Sequence, residues 1–184
     1  MIKIEPLGCY PELVSLCARW NFEEWGQAAG RTLEDTVEGF GPFLDPAGQQ
    51  GAFIGFVSGL PAGLVLLIDN DLESHPHLKP WLASLYVVPD IRGKGVGKAL
   101  IRAAETAARE QGSAELFLYT SKVNYYQRLG WQEFEVLSGD YNGTMILIRK
   151  FDHGLAFNAS TISLRPSAPM TAPAPRSIHS FRRT

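Results

Sequence analysis

PDIRGKGVGK, residues Pro89 to Lys98, stands between an apolar run, WLASLYVV (81–88), and a run of helical character, ALIRAAETAARE (99–110). Three glycines and three cations sit where a strand hands over to a helix. Glycine costs backbone entropy on folding, so this much bare backbone calls for a return elsewhere. A glycine-rich turn aims several successive N–H groups into one concavity, and a helix that starts there adds its positive dipole end. Arg92, Lys94 and Lys98 add full charges, and the Arg92 guanidinium can hold two phosphate oxygens at once. The predicted ligand is an anion of pyrophosphate size.

Outward from this turn, WLASLYVV (81–88), the helix (95–111) and ELFLYT (115–120) form one βαβ unit. Its right-handed crossover puts the glycine turn at a carboxyl edge of the sheet. Upstream, GAFIGFVS (51–58) and AGLVLLI (62–68) predict two strands joined by a GLP turn. Before them, Pro11 opens a helix ending near Gly26, and Thr32 caps a second through about Phe40. Downstream come a short helix over 122–129 closed by Gly130, and a hairpin of FEVL and TMILIRK around 139–143. The fold class is α/β (α+β), a mixed sheet with helices on its faces.

A chain of 184 residues, 45% hydrophobic and 20% charged, suits one soluble domain. The N-terminal MIKIEPLGCYPE does not read as a signal peptide, and the longest aliphatic runs are too short to span a bilayer, so the expected location is cytoplasmic, without membrane. Cys9 and Cys17 lack CxxC spacing and are expected as buried thiols; no metal is expected, His75 and His77 reading as part of a solvated polar loop. The net charge of −2 hides an asymmetry: of 17 basic residues, Arg165, Arg176, Arg182 and Arg183 lie beyond residue 154, leaving 13 against 19 acidic ones, or −6. The domain is expected over 1–152, and 153–184, rich in Pro, Ala, Ser and Arg, as a disordered tail. Scattered arginines without interleaved aromatics do not predict nucleic-acid binding.

Spacing narrows the anion. A P-loop requires Ser or Thr after Gly97-Lys98 and Gly in place of Arg92; the chain has Ala99 and Arg92. A dinucleotide fingerprint starting at Gly93 and Gly95 requires Gly where Lys98 stands. RGKGVG (92–97) after a strand ending in VVP resembles the coenzyme A pyrophosphate loop of the GCN5-related N-acetyltransferase (GNAT) superfamily, [QR]-x-x-G-x-[GA]. YYQRLGW (125–131) is similar to that family's second signature, F-Y-x-x-L-G-[FY]. The two motifs are specific, and the resemblance spans about residues 11–150.

The resemblance implies a mostly antiparallel sheet with a V-shaped splay between strands 4 and 5, helices on both faces, and acetyl-CoA as cosubstrate. It implies binding by Val87, Val88, Arg92, Gly93, Lys94, Gly95, Val96, Gly97 and Lys98. It casts the Val87 amide as donor to the acetyl carbonyl and Tyr126 as general acid to the departing thiolate, in direct attack by a primary amine through a tetrahedral intermediate. Many relatives carry a carboxylate in the strand where this chain has Ala83 and Ser84, so the base is open among Glu23, Glu24, Asp69 and Asp71, and an amine that binds already neutral needs none. Trp20 and Trp25, with those acids, are candidates for the acceptor site, which favours a small cationic amine and leaves a peptide amine possible. The protein is expected as a monomer or homodimer. The competing reading is a non-catalytic acyl-CoA-binding or regulatory module.

Overall fold

The computed structural model describes residues 1–45 and 48–151; the tail expected over 153–184 lies outside the described residues. Seven strands form one sheet in the order β1-β2-β3-β4-β5-β7-β6. They are β1 (Ile2–Pro6), β2 (Gly51–Val57), β3 (Leu60–Ile68), β4 (Trp81–Val87), β5 (Glu115–Thr120), β6 (Gln132–Val136) and β7 (Met145–Lys150). Every neighbouring pair is antiparallel except β4 and β5.

That parallel pair decides the shape of the protein. Its register contains one partnership, Trp81 with Phe117, supported by the Phe117 amide donating to the Pro80 carbonyl at 3.0 Å. Beyond it the strands no longer pair, which is the expected splay. β4 also carries a bulge: Leu64 faces Tyr86 but Leu66 faces Ala83, so β4 holds one residue more than β3 over this stretch. Ser84, within the bulge, has φ +52°. A bulge bends its strand and sharpens the twist, which steers the end of β4 away from β5.

Helices cover both faces. On one lie α1 (Val14–Asn21), which continues into a wider π turn over Phe22–Gly26, and α2 (Leu33–Gly39). Thr32 caps α2 reciprocally: its Oγ1 accepts from the Asp35 amide at 3.0 Å while the Asp35 carboxylate accepts from the Thr32 amide at 3.3 Å. On the other face lie α3 (Val96–Glu110) and the short α4 (Val123–Gln127). Alternation along β3 divides the core: Leu64, Leu66 and Ile68 pack with Cys17 and Ala18 of α1, while Val65 and Leu67 pack with Leu100, Ile101 and Ala104 of α3.

Two local expectations are corrected and one strand is added. The hairpin between β2 and β3 turns on Ser58 and Gly59, both at positive φ (51° and 83°), not on GLP. Two left-handed residues match the strand twist, and Pro61 sits inside β3 beside a register shift, where a missing N–H is tolerated. β1 is an added edge strand; IKIEP is five residues long, mixes Lys3 and Glu5 with two isoleucines, and is half-exposed, so its pattern is weak. Cys9 is exposed and only Cys17 is buried, because Cys9 falls in a one-turn surface helix. Among the described residues no helix is long and apolar enough to cross a membrane.

Candidate active site

The splay opens on the carboxyl side into a cleft of about 460 Å³. Val87 and the loop from Arg92 to Lys98, Lys94 excepted, line it, and Lys122, Tyr125 and Tyr126 close it from the β5 side. Each glycine of the loop has its own reason. Gly93 and Gly95 adopt φ of +78° and +92°, and Gly95 is the N-cap of α3, which no side chain caps. Gly97 keeps bare backbone because a Cβ there would stand 3.1 Å from the Tyr125 hydroxyl. The first-turn N–H groups of α3 have no intrahelical partners and lie beside Lys98 and Lys122, so the cleft suits a polyanion.

Two cations of the loop are held by nearby backbone carbonyls. Arg92 Nε donates to the Val87 carbonyl at 2.9 Å, and its guanidinium lies 5.9 Å above the Tyr86 ring, which stacks on Trp20 at 5.4 Å. Lys94 Nζ donates to the Asp90 carbonyl at 3.2 Å. The Val88 amide donates to the Ala62 carbonyl at 2.9 Å. By the alternation of strand N–H groups, the neighbouring Val87 amide turns toward the side where β4 has left β5.

Tyr126 is buried, with 8% of its surface exposed, edge-on to Tyr125 (5.0 Å) and Trp131 (6.1 Å). Burial, with a smaller contribution from Tyr125, raises its pKa and keeps the phenol protonated. Its carbonyl accepts from the amides of Leu129 (2.9 Å) and Trp131 (3.2 Å), which closes α4. Gly130 follows at φ +93°, and Arg149 Nη1 donates to its carbonyl at 2.7 Å. Arg149 Nε lies 3.6 Å from the carboxylate of Glu105 on the buried face of α3, so the turn after Tyr126 is tied across β7 to α3.

A second, smaller cavity of about 70 Å³ lies on the α1 side of the β4 bulge. Asn21, Trp25, Arg31, Asp71, Ser84 and Tyr119 line it. Asn21 Nδ2 donates to Ser84 Oγ at 2.8 Å, and Asn21 Oδ1 accepts from Arg31 Nη2 at 3.2 Å. Asp71 leaves part of its surface exposed while its carboxyl is desolvated, and this pushes its pKa up to about 7. Burial first, and the Asp71 charge second, raise the pKa of Tyr119.

Of the residues proposed for the acceptor, Trp25 and Asp71 line this inner cavity, Glu24 lines the larger cleft, and Trp20 packs behind Tyr86. Glu23 and Asp69 are exposed and line neither; the Asp69 amide donates to Gln50 Oε1 at 3.2 Å. Asn21, Arg31, Tyr119, Lys122 and Tyr125 escaped the sequence reading. Asn21 and Arg31 flank the acids of WNFEEWG; Asn21 lies on the buried face of α1, and Arg31 follows the π turn. His75 bonds Glu135 at 3.2 Å, and among the described residues no group of three His, Cys, Asp or Glu could hold a metal.

A sheet parted at its one parallel pair, with an anion cradle at the mouth and a tyrosine on the facing helix, defines the acyltransferase-like architecture that the two motifs resembled. The chain belongs to the acetyltransferase (GNAT) family, whose sequence pattern matches residues 7–131. It is 32% identical over 99 residues to an uncharacterized N-acetyltransferase of Methanocaldococcus jannaschii, covering 50% of this chain and 43% of that one. It is 30% identical over 125 residues to the mycothiol acetyltransferase of Rhodococcus erythropolis, covering 64% of this chain and 40% of the relative. The chain thus spans less than half the length of these curated relatives. Among solved structures, an aminoglycoside 6'-N-acetyltransferase complexed with coenzyme A superposes with a TM-score of 0.64 at 14% identity over 80% of this chain and 96% of that one, a likeness of fold.

Proposed function

We propose that this chain is an N-acetyltransferase that moves the acetyl group of acetyl-CoA to a primary amine. The observation that carries the reading is the opening of β4 from β5 after the Trp81–Phe117 pair, with the glycine loop on one wall of the gap and Tyr126 on the other. Acetyl-CoA is a thioester with a pyrophosphate, and it supplies an activated acyl group. The N–H groups starting α3, with Arg92, Lys98 and Lys122, bind the pyrophosphate; Val87 donates its amide to the acetyl oxygen. A preorganised donor of that kind is worth roughly 3 to 4 kcal/mol in other enzymes.

An alkylammonium has a pKa of about 10.4 and must lose a proton before it attacks. Asp71 is the candidate base, supported by its place in the inner cavity and by a carboxyl that ionises close to neutrality. Asp71 takes one proton from the ammonium, the nitrogen lone pair bonds to the acetyl carbon, and the carbon–sulfur bond breaks with its electron pair on sulfur. Tyr126 gives its phenolic proton to that sulfur. The second proton lost by the nitrogen leaves to solvent as the amide forms, and the tyrosinate regains one from solvent.

The cationic preference expected from sequence depended on Glu23, Glu24, Asp69 and Asp71 lining one site. Only Asp71 lines the inner cavity, so charge alone does not favour a polycation. A thiol-release assay with acetyl-CoA over a panel of amines and peptides tests the proposal: release that depends on the acceptor supports it. Binding of coenzyme A without release on any acceptor favours the non-catalytic module instead.

A further inference from the structure

Arg31 shares the inner cavity with Asp71, and none of the ion pairs among the described residues includes it. Its Nη2 donates to Asn21 Oδ1, but its Nε is buried without a hydrogen-bond partner. Burial makes the charged guanidinium harder to keep. Such a group is stabilised by an anion that bonds it. The cavity therefore offers a carboxylate and a guanidinium together, with a hydroxyl at Ser84 and a phenol at Tyr119 between the elements that carry them.

We infer that the acceptor is a free amino acid, held with its ammonium toward Asp71 and its carboxylate toward Arg31 in the cavity between α1 and the β4 bulge. The inference rests on the acetyl-transfer reading and adds the class of amine. A polyamine or aminoglycoside brings positive charge toward Arg31 with nothing to neutralise it. An amino acid brings a carboxylate to Arg31, and a cavity of about 70 Å³ matches a small molecule better than a polypeptide segment. Asn21 is a positioning residue: clamped by Ser84 at 2.8 Å, it fixes the Arg31 fork.

The transferred bond is the one already described: the acceptor's nitrogen gains the acetyl carbon and loses its protons, one to Asp71 and one to solvent, and its carboxylate is unchanged.

The test compares each common L-amino acid with its own carboxamide and its decarboxylated amine, at saturating acetyl-CoA, by thiol release. The carboxamide is the decisive control, because its amine is less basic than that of the free amino acid and would react faster if basicity alone decided. A site that leaves a buried guanidinium unanswered rejects the analogue, so at least one amino acid is expected to exceed its carboxamide in kcat/KM by about ten- to a hundredfold. Arg31→Gln should bring that ratio to one or below, and Arg31→Lys should leave an intermediate ratio. Calorimetric titration of the same pair into the protein loaded with coenzyme A reads the preference without turnover, and the wild-type comparison stands even if Arg31→Gln fails to fold.

Carboxamides or decarboxylated amines accepted as well as the acids, or a preference untouched in folded Arg31→Gln, overturns the inference and leaves acetyl transfer standing. No thiol release from any acceptor, with coenzyme A still bound, overturns both.

Discussion

Asn21, at the end of α1, donates its side-chain amide to Ser84 in the β4 bulge, 63 residues away, at 2.8 Å. The bond joins the wall of the inner cavity to the strand that turns the Val87 amide into the splay. It also secures a non-glycine residue at positive φ, a conformation that persists only when its surroundings hold it. Asn21→Ala leaves Ser84 and Arg31 without this partner and is expected to cost about 1–3 kcal/mol of stability. Its kcat/KM should fall while coenzyme A affinity stays within about twofold, because the loop from Arg92 to Lys98 does not touch Asn21; denaturant melts and calorimetry check the two parts.

Asp71 predicts a pH dependence of both rate and stability. Rate should rise as pH climbs through about 7, where the carboxyl ionises. Asp71→Asn should remove that limb and lower kcat by about 10²- to 10⁴-fold. For stability the sign is opposite. The folded protein holds the proton more tightly than the unfolded chain between pH 3.8 and about 7, so the contribution of Asp71 to stability falls as pH rises across that window and stays low above it. Asp71→Asn should flatten the melting temperature over the same range and melt higher than wild type at pH 8.

Tyr126→Phe keeps the ring packed on Tyr125 and Trp131 and removes only the hydroxyl. With general-acid catalysis typically contributing 10²- to 10⁴-fold, kcat should fall roughly ten- to a thousandfold, water replacing part of the lost proton supply. Acetyl-CoA affinity should barely change. A near-normal kcat under conditions where chemistry limits the rate removes Tyr126 from the mechanism.

The coenzyme A loop is tested by Arg92→Ala and Gly95→Asp. The first removes a charge-assisted phosphate contact worth about 1.5–3 kcal/mol; the second puts a carboxylate among the donors and a Cβ at φ +92°. Affinity for coenzyme A should fall about tenfold or more in both. Unchanged affinity in folded Arg92→Ala counts against the pyrophosphate assignment.

Gly130→Ala should be the most damaging of the small substitutions near α4. Its Cβ would collide with Arg149 Nη1, and its φ of +93° disfavours any side chain. Displacing Arg149 also moves a cation away from Glu105, which is already desolvated. A loss of about 2–4 kcal/mol in a denaturant melt is expected, at the upper end of what single substitutions do.

The loop was legible because its physics is local: three glycines and a helix start within RGKGVGK leave few alternatives, and the apolar run of β4 and the helical period of α3 place both ends. The inner cavity was not, because it is assembled from α1, the loop after the π turn, the β3–β4 loop, the bulge and β5. Asp71 looked like one more acid in DNDLE until desolvation set it apart from Asp69, two residues away. Arg31 carries no pattern at all. Ser84 was visible as the place where a strand carboxylate is missing; that the same position is a bulge bonded to Asn21 depends on how β3 and β4 align.

With one residue pair bridging β4 and β5, the seven strands form two blocks, β1 to β4 and β5 to β6, that meet along a seam. A ligand lying in that seam occupies the place of missing backbone pairing and acts as mortar. Its binding energy then adds to the cohesion of the whole sheet, about 2.7 kcal/mol at a hundred times its dissociation constant. Amides along the seam edges of β4 and β5 should exchange hydrogen more slowly when it is filled. On the proposed reading, the durability of this protein would be a variable set by supply, rising and falling with the pool of coenzyme A thioesters around it.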